Sequence, residues 1–313
     1  MLIFSRNKLL EQPVAMKKSL FIILAVALLN CGCSTISLVY RNADWYLQHK
    51  INGYTSFNAR QKETIRKEVS NYMLWHHQQA LPEYIIFLQN LNGVAQYNGQ
   101  LRVAEVTRLR AHMMNLYEKS LVPAIRPAAQ LLSGLDSRQI QKMGKTFSEE
   151  IQKQKQDELD ISQDEILDKR ADKTIDFLEW LIGNLSSEQE QKIRDMSRHL
   201  PVVNHIYIRL RETNQGKLIT LLNNHADAEV IAAFLSTWLF TPELTRTAQQ
   251  QRVIQSFELA TDEMVAQIHD LMTARQKDHL HKMIISYIEE MRSFATATHA
   301  ANGTSRQDLV HFD

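Results

Sequence analysis

Four times along this chain an apolar residue is followed by a helix-capping residue, two further residues and a glutamine: Phe57-Asn58…Gln61, Leu135-Asp136…Gln139, Leu185-Ser186…Gln189 and Met272-Thr273…Gln276. In such a box the capping side chain accepts from the backbone amide three residues on. The glutamine there reaches back to the amide of the cap. Ile65, Met143, Ile193 and Leu280 open an apolar stripe after each box, so the motifs predict four helix starts. Their spacings of 78, 50 and 87 residues are unequal and argue against a solenoid of fixed period. Nine Gly and six Pro in 313 residues, among abundant Leu, Gln, Ala, Glu and Lys, is helix composition, and no strand-like alternation of useful length occurs. We expect an all-α multi-helix bundle of about ten helices.

Taken in order, a short amphipathic helix is expected over Ile36 to Ile51, with Trp45 and its neighbours packed on the domain; an interfacial helix lying on a membrane is the alternative. Asn58 to Gln79 forms the first boxed helix, and Pro82 opens the next. A long helix from about Leu101 meets Pro123 and Pro127, which should kink or break it. Helices follow over Asp136 to Asp160 and Ser162 to Ile182, with the charged region Glu149 to Arg170 expected to be a solvated face. Pro201 opens a further helix. Val230 to Phe240, the longest apolar stretch of the mature chain, predicts a buried helix too short to be a membrane span. Two long helices, Glu243 to Met272 and Thr273 to Ala295, close the domain. The helical domain is thus 57–296, with a flexible tail over 297–313.

The N-terminus carries an address. Met16 precedes Lys17, Lys18 and the apolar run Leu20 to Leu29, and Leu28 to Ser34 reads Leu-Leu-Asn-Cys-Gly-Cys-Ser. A basic segment, a short apolar core and small residues before a cysteine form a lipoprotein signal peptide, residues 1–32. Translation from Met16 rather than Met1 fits this pattern best. Cys33, with Gly32 before it, is the expected lipidation site, and Cys31 the runner-up because Asn30 is bulkier and polar. An ordinary cleaved signal or an uncleaved anchor is the alternative. Residues 33–56 are then the lipid anchor and juxtamembrane segment. Loss of 1–32 with lipid on Cys33 leaves no free thiol, which excludes disulfides and cysteine nucleophiles.

The mature chain keeps 32 Lys plus Arg against 34 Asp plus Glu, a net charge of −2. Nucleic acid is not an expected partner, because its binding rests on clustered basic side chains. No metal site is expected: His76 and His77 are adjacent and diverge by about 100° on a helix, and His279 and His281 fail likewise. Signatures of serine hydrolases and phosphate loops are absent from the sequence, so no catalytic residues and no cofactor are assigned. The candidate binding or structural residues are the pairs Asp44-Trp45 and Trp75-His76, each an aromatic surface with a polar handle. An interhelical anchor is the reading we expect for them.

The residues Cys33-Ser34, Tyr40, Asn42-Ala43-Asp44-Trp45, Gln61, Trp75-His76, Leu81-Pro82…Tyr84…Phe87-Leu88 and Trp180-Leu181…Leu185-Ser186…Gln189 resemble those of an uncharacterised family of proteobacterial lipoproteins, domain of unknown function 6279. The resemblance covers essentially the whole mature chain and departs at His77, Ala80 and Asn58. It implies a helical lipoprotein and no known activity. By resemblance to bacterial lipoproteins in general, Ser34 after the cysteine implies an outer-membrane protein facing the periplasm. A weaker resemblance, to the helical Spy and CpxP stress chaperones, rests on Leu185…Gln189 and Met272…Gln276. The expected function is therefore non-catalytic: binding or scaffolding in the envelope, with membrane lipid engaged through acylated Cys33 and an envelope protein docked between helices. A holdase-like chaperone is the alternative.

Overall fold

The computed structural model of the protein describes residues 40–159 and 161–307, with side chains through residue 295. The signal peptide, Met16, Cys31, Cys33 and the segment to residue 39 lie outside the described residues, as do residues 308–313. Two units divide the chain, Met1–Asn42 and Ala43–Asp313. The second consists of α1 (Ala43–Tyr54), α2 (Ala59–Trp75), a π turn (His76–Ala80), α3 (Leu81–Ala95), α4 (Val103–Ser133), α5 (Ser137–Glu158), α6 (Gln163–Ile182), α7 (Ser187–His199), α8 (Asn204–Asn223), α9 (Ala228–Phe240), a 3-10 turn (Pro242–Thr245), α10 (Ala248–Leu271) and α11 (Ala274–Gln307). No strand occurs among the described residues. Counting α2 and α3 as one rod across the π turn, this is an all-α bundle of ten helices.

All four capping boxes form where the sequence places them, at the starts of α2, α5, α7 and α11. A fifth, Thr247 with Gln250, opens α10; it lacks the preceding apolar residue and was not expected. The boxes meet two by two. Gln61 donates to the Gly134 carbonyl and Gln139 to that of Ser56, joining the starts of α2 and α5. Gln189 donates to Leu271 and Gln276 to Asn184, joining those of α7 and α11. At the second junction Gly183 adopts a φ of +83°, a left-handed turn that ends α6 and delivers Asn184 to Gln276.

Two groups of helices pack around these junctions. In one, α4 lies against α9 and α2, α5 against α8, and α1 against both α2 and α5. In the other, α6 pairs with α7 and α3 with α11, around Ile175, Ile193, Leu200 and Ile268 and around Ile182, Leu280, Ile284 and Ile288. Each such fully buried side chain contributes about 1.5–3 kcal/mol. A partly buried ion pair ties α4 to α10: Arg110 grips Asp262, which is 1% exposed, through Nε at 2.8 Å and Nη2 at 3.0 Å.

Several expectations need correction. Pro123 and Pro127 do not break α4, which runs through both as a single 31-residue helix. Each proline removes one donor and leaves the carbonyl four residues earlier unpaired, and packing along α9 holds the rod despite that loss. At Pro82 the chain does not stop and restart; the Leu81 amide reaches back to the His76 carbonyl and the extra residue of the π turn carries the rod past the proline. The helix expected to open at Pro201 begins only at Asn204. Glu150, Lys155, Asp164 and Asp168 are not merely solvated: they bridge to Arg211, Glu212 and Arg198 on neighbouring helices. Within α9 only Ile231 and Leu235 are buried, so the longest apolar stretch is not wholly buried. None of the described helices is long and apolar enough to cross a membrane.

Candidate functional site

A cavity of about 630 Å³ runs along the flank of α9. Leu235, Trp238 and Leu239 form one wall; Leu121, Ala124, Pro127, Ala128 and Leu131 of α4 form the next. Ile65, Val69 and Tyr72 of α2, Met143 and Phe147 of α5, and Leu47, Ile51 and Tyr54 of α1 close it. The size lies within the range of roughly 300–1,000 Å³ typical of small-molecule sites. Thr64, at the rim, is exposed, so the cavity meets the surface there.

The helical period explains why α1 belongs to this wall. Residues 47, 51 and 54 stand four and three apart and share one face. Its opposite side carries Trp45 and Tyr46, 66% and 52% exposed, beside His49 and Lys50. The Trp45 indole stacks on the His49 ring at 5.2 Å, and Lys50 lies over the Tyr46 ring.

Polar groups in the wall are few. Arg211 on α8 reaches Glu150 at 2.6 Å and Gln154 at 3.2 Å on α5, which neutralises its charge in place. One turn later on the same helix, Gln215 is 6% exposed and its Oε1 has no hydrogen-bond partner. A buried, unsatisfied polar atom costs about 1–3 kcal/mol. Glu68 on α2 adds a carboxylate to the lining.

Of the residues singled out from sequence, Trp75 and His76 form an aromatic cluster with Tyr72 and Tyr84; the His76 ring is 5.9 Å from Tyr72 and 5.4 Å from Tyr84. Burial, and then the neighbouring His77, push the His76 pKa down to about 4, so its imidazole is neutral at pH 7. His77 is also lowered, by burial, with the Asp44 carboxylate opposing the shift. Asp44 thus lies within electrostatic reach of the π turn, and Tyr72 connects the cluster to the cavity wall. Trp45 does not pack on the domain as expected: helix α1 turns it outward, and its neighbours Leu47 and Ile51 take the inward positions. Among the described residues no three His, Cys, Asp or Glu side chains gather as a metal site.

Sequence reasoning missed Arg211 and Gln215. A signal was present: Gln215 occupies the same helical face as Leu218 and Leu222, so a polar residue stands at a core position. Residues 53–244 match the model of a family of unknown function, DUF6279. That stretch holds the π-turn cluster, Gln215 and all of the cavity wall except Leu47 and Ile51. No curated protein and no solved structure matches the chain.

Proposed function

We propose that this chain, which belongs to the DUF6279 family of unknown function, is an envelope lipoprotein that acts by binding rather than by chemistry, with the apolar cavity as its ligand site. One observation carries this reading: a single helix, α1, has one apolar face in the cavity wall and an aromatic face turned outward. Exposed Trp and Tyr beside Lys suit the interface between headgroups and acyl chains. Lipid on Cys33 supplies the tether. Ten residues separate it from Ala43, which caps the distance between α1 and the membrane at about 35 Å and leaves contact with the surface within reach. Anchored there, facing the periplasm from the outer membrane, the protein presents its cavity to a ligand from the membrane or to a protein partner.

A holdase-like chaperone is the second reading. It draws on Met113, Met114 and Tyr117, all exposed on one side of α4, because flexible methionine surfaces adapt to varied partners.

The first reading is tested by metabolic labelling with a palmitate analogue, incorporated by the natural chain and not by Cys33→Ser. The Cys33→Ser chain, exported by an unrelated cleaved signal and purified, is then mixed with the neutral apolar dye N-phenyl-1-naphthylamine. Saturable fluorescence enhancement at about one dye per chain supports the binding site. No enhancement, or no label on Cys33, rejects it.

A further inference from the structure

Resting on that reading, we infer that the cavity is a site for one long acyl chain carried as a neutral or zwitterionic ester, with its tail between α4 and α9 and its ester and hydroxyl oxygens at the carboxamide of Gln215. The volume fits. A methylene occupies about as much space as a water molecule, roughly 30 Å³, so a chain of about 16 carbons takes roughly 480 Å³. A cavity of about 630 Å³ leaves space for a small polar end. Most of its wall is apolar, built from Leu, Ile, Val, Ala, Pro, Met, Phe and Trp side chains, against which each buried methylene gains about 0.8 kcal/mol.

The polar end is selected by charge and by hydrogen-bonding capacity. Arg211 is already paired with Glu150 at 2.6 Å, and Glu68 contributes a carboxylate to the lining. The wall therefore offers no surplus positive charge to hold a free fatty-acid anion. Gln215 offers something else. Its amide both donates and accepts, it is 6% exposed, and its Oε1 lacks a partner. An acyl glycerol end supplies both halves of the match, a carbonyl that accepts and a hydroxyl that donates. A free carboxylate can accept from Nε2 but has no donor for the unpartnered Oε1, and it brings a charge that has no counter-ion.

The test uses the purified mature chain with Cys33→Ser, loaded with N-phenyl-1-naphthylamine and titrated at pH 7.5 with monopalmitoylglycerol, palmitoyl lysophosphatidylethanolamine or sodium palmitate. Displacement by either ester at a concentration at least ten-fold below that needed for palmitate is the expected result. Which ester is preferred identifies the source, a neutral glyceride or a membrane phospholipid. Gln215→Leu should lose the preference for the ester over palmitate by about ten-fold and raise the urea midpoint, since an orphaned amide is replaced by an apolar side chain. Ala128→Phe, which fills the cavity, should abolish binding of dye and ester together. Palmitate displacing the dye as well as the esters overturns the inference, as does ester selectivity unchanged in Gln215→Leu. If the dye binds and no ester displaces it, the acyl-ester assignment falls while the cavity remains a binding site. If the dye does not bind at all, the proposed binding function falls with it. The comparison of esters with palmitate on the unaltered cavity stands whether or not either variant folds.

Discussion

Gln61 and Gln139, 78 residues apart, exchange hydrogen bonds through both ends of their carboxamides: Nε2 of Gln139 donates to Oε1 of Gln61 at 2.7 Å, and Nε2 of Gln61 to Oε1 of Gln139 at 3.2 Å. Each Oε1 also accepts from the amide of its own cap, Asn58 or Asp136, and each Nε2 also donates to the backbone two residues before the other cap. Every donor and acceptor position of the two amides is used. Gln189 and Gln276 repeat the arrangement bond for bond, at 2.9 and 3.1 Å. A local capping motif thereby also joins two helices that are distant in sequence.

Paired and unpaired boxes should therefore differ in their contribution to stability. Gln139 is buried, so Gln139→Leu strips a cap and leaves Ser56 O and the Gln61 amide short of partners; a loss of about 2–4 kcal/mol is expected. Gln250 serves only its own box, and Gln250→Leu should cost about 0.5–1 kcal/mol. Urea denaturation of Gln61→Leu, Gln139→Leu and the double variant closes the cycle. A coupling of at least about 1 kcal/mol is expected, and additivity would show the exchange to be incidental.

The Arg110–Asp262 pair makes a second demand on the fold. Asp262 also accepts from the Thr107 hydroxyl at 2.8 Å, and Glu258 approaches Arg110 at 3.3 Å. Asp262→Ala empties a buried position and leaves the partly exposed Arg110 guanidinium with Glu258 alone, and should cost about 1–3 kcal/mol. Arg110→Met with Asp262→Leu removes both charges and should recover most of that loss. Thermal unfolding of the three chains tests this; a double variant no better than the single would show that the pair is irreplaceable rather than merely self-compensating.

How much of this could be read in the sequence depends on the range of each interaction. Caps, stripes and the early end of α6 at Gly183 are set within a few residues, so the starts of α2, α5, α7 and α11 were legible. The exchange between Gln61 and Gln139, the grip of Arg110 on Asp262 and the cavity depend on helices brought together from far apart, and no local pattern encodes them. Pro82, Pro123 and Pro127 misled because a proline's local preference yields to packing along the whole rod, whereas Pro201 stands in the link before α8 rather than in its first turn. Trp45 misled because a large apolar side chain near a helix start can as readily face outward as pack inward. Val230 to Phe240 misled because a helix at the bundle surface turns one side out whatever its composition: Val230 is exposed, while Trp238 and Leu239 line the cavity.

His76 should give the fold a pH dependence of definite sign. Its folded pKa of about 4 lies below the ordinary 6.5. Above pH 6.5 the ring is neutral in both states and contributes nothing. As pH falls from 6.5 toward 4, the unfolded chain binds the proton and the folded chain does not, so stability is lost on acidification. Because part of the ring meets solvent, the loss is about 1–2 kcal/mol rather than the full shift. Urea midpoints at pH 7.5 and 5.0 measure it. His76→Phe, which keeps the ring against Tyr72 and Tyr84, should flatten the dependence, with the remainder set by His77 and the carboxylates; an unchanged slope would remove His76 as its source.

Trp45 separates a packing role from an interfacial one. With 66% of its surface exposed and only the His49 ring stacked on it, Trp45→Ser should change stability by less than about 0.5 kcal/mol. If α1 lies at the bilayer surface, the same change removes an interfacial anchor and should weaken co-sedimentation of the unlipidated Cys33→Ser chain with phospholipid vesicles several-fold. Tyr46→Ser should act in the same direction, whereas Leu47→Ser, on the cavity face, should reduce dye binding and stability before vesicle association. A Trp45 variant that destabilises the fold and leaves vesicle association intact would assign the indole to the domain after all, and the outward face of α1 would then carry no argument for the membrane.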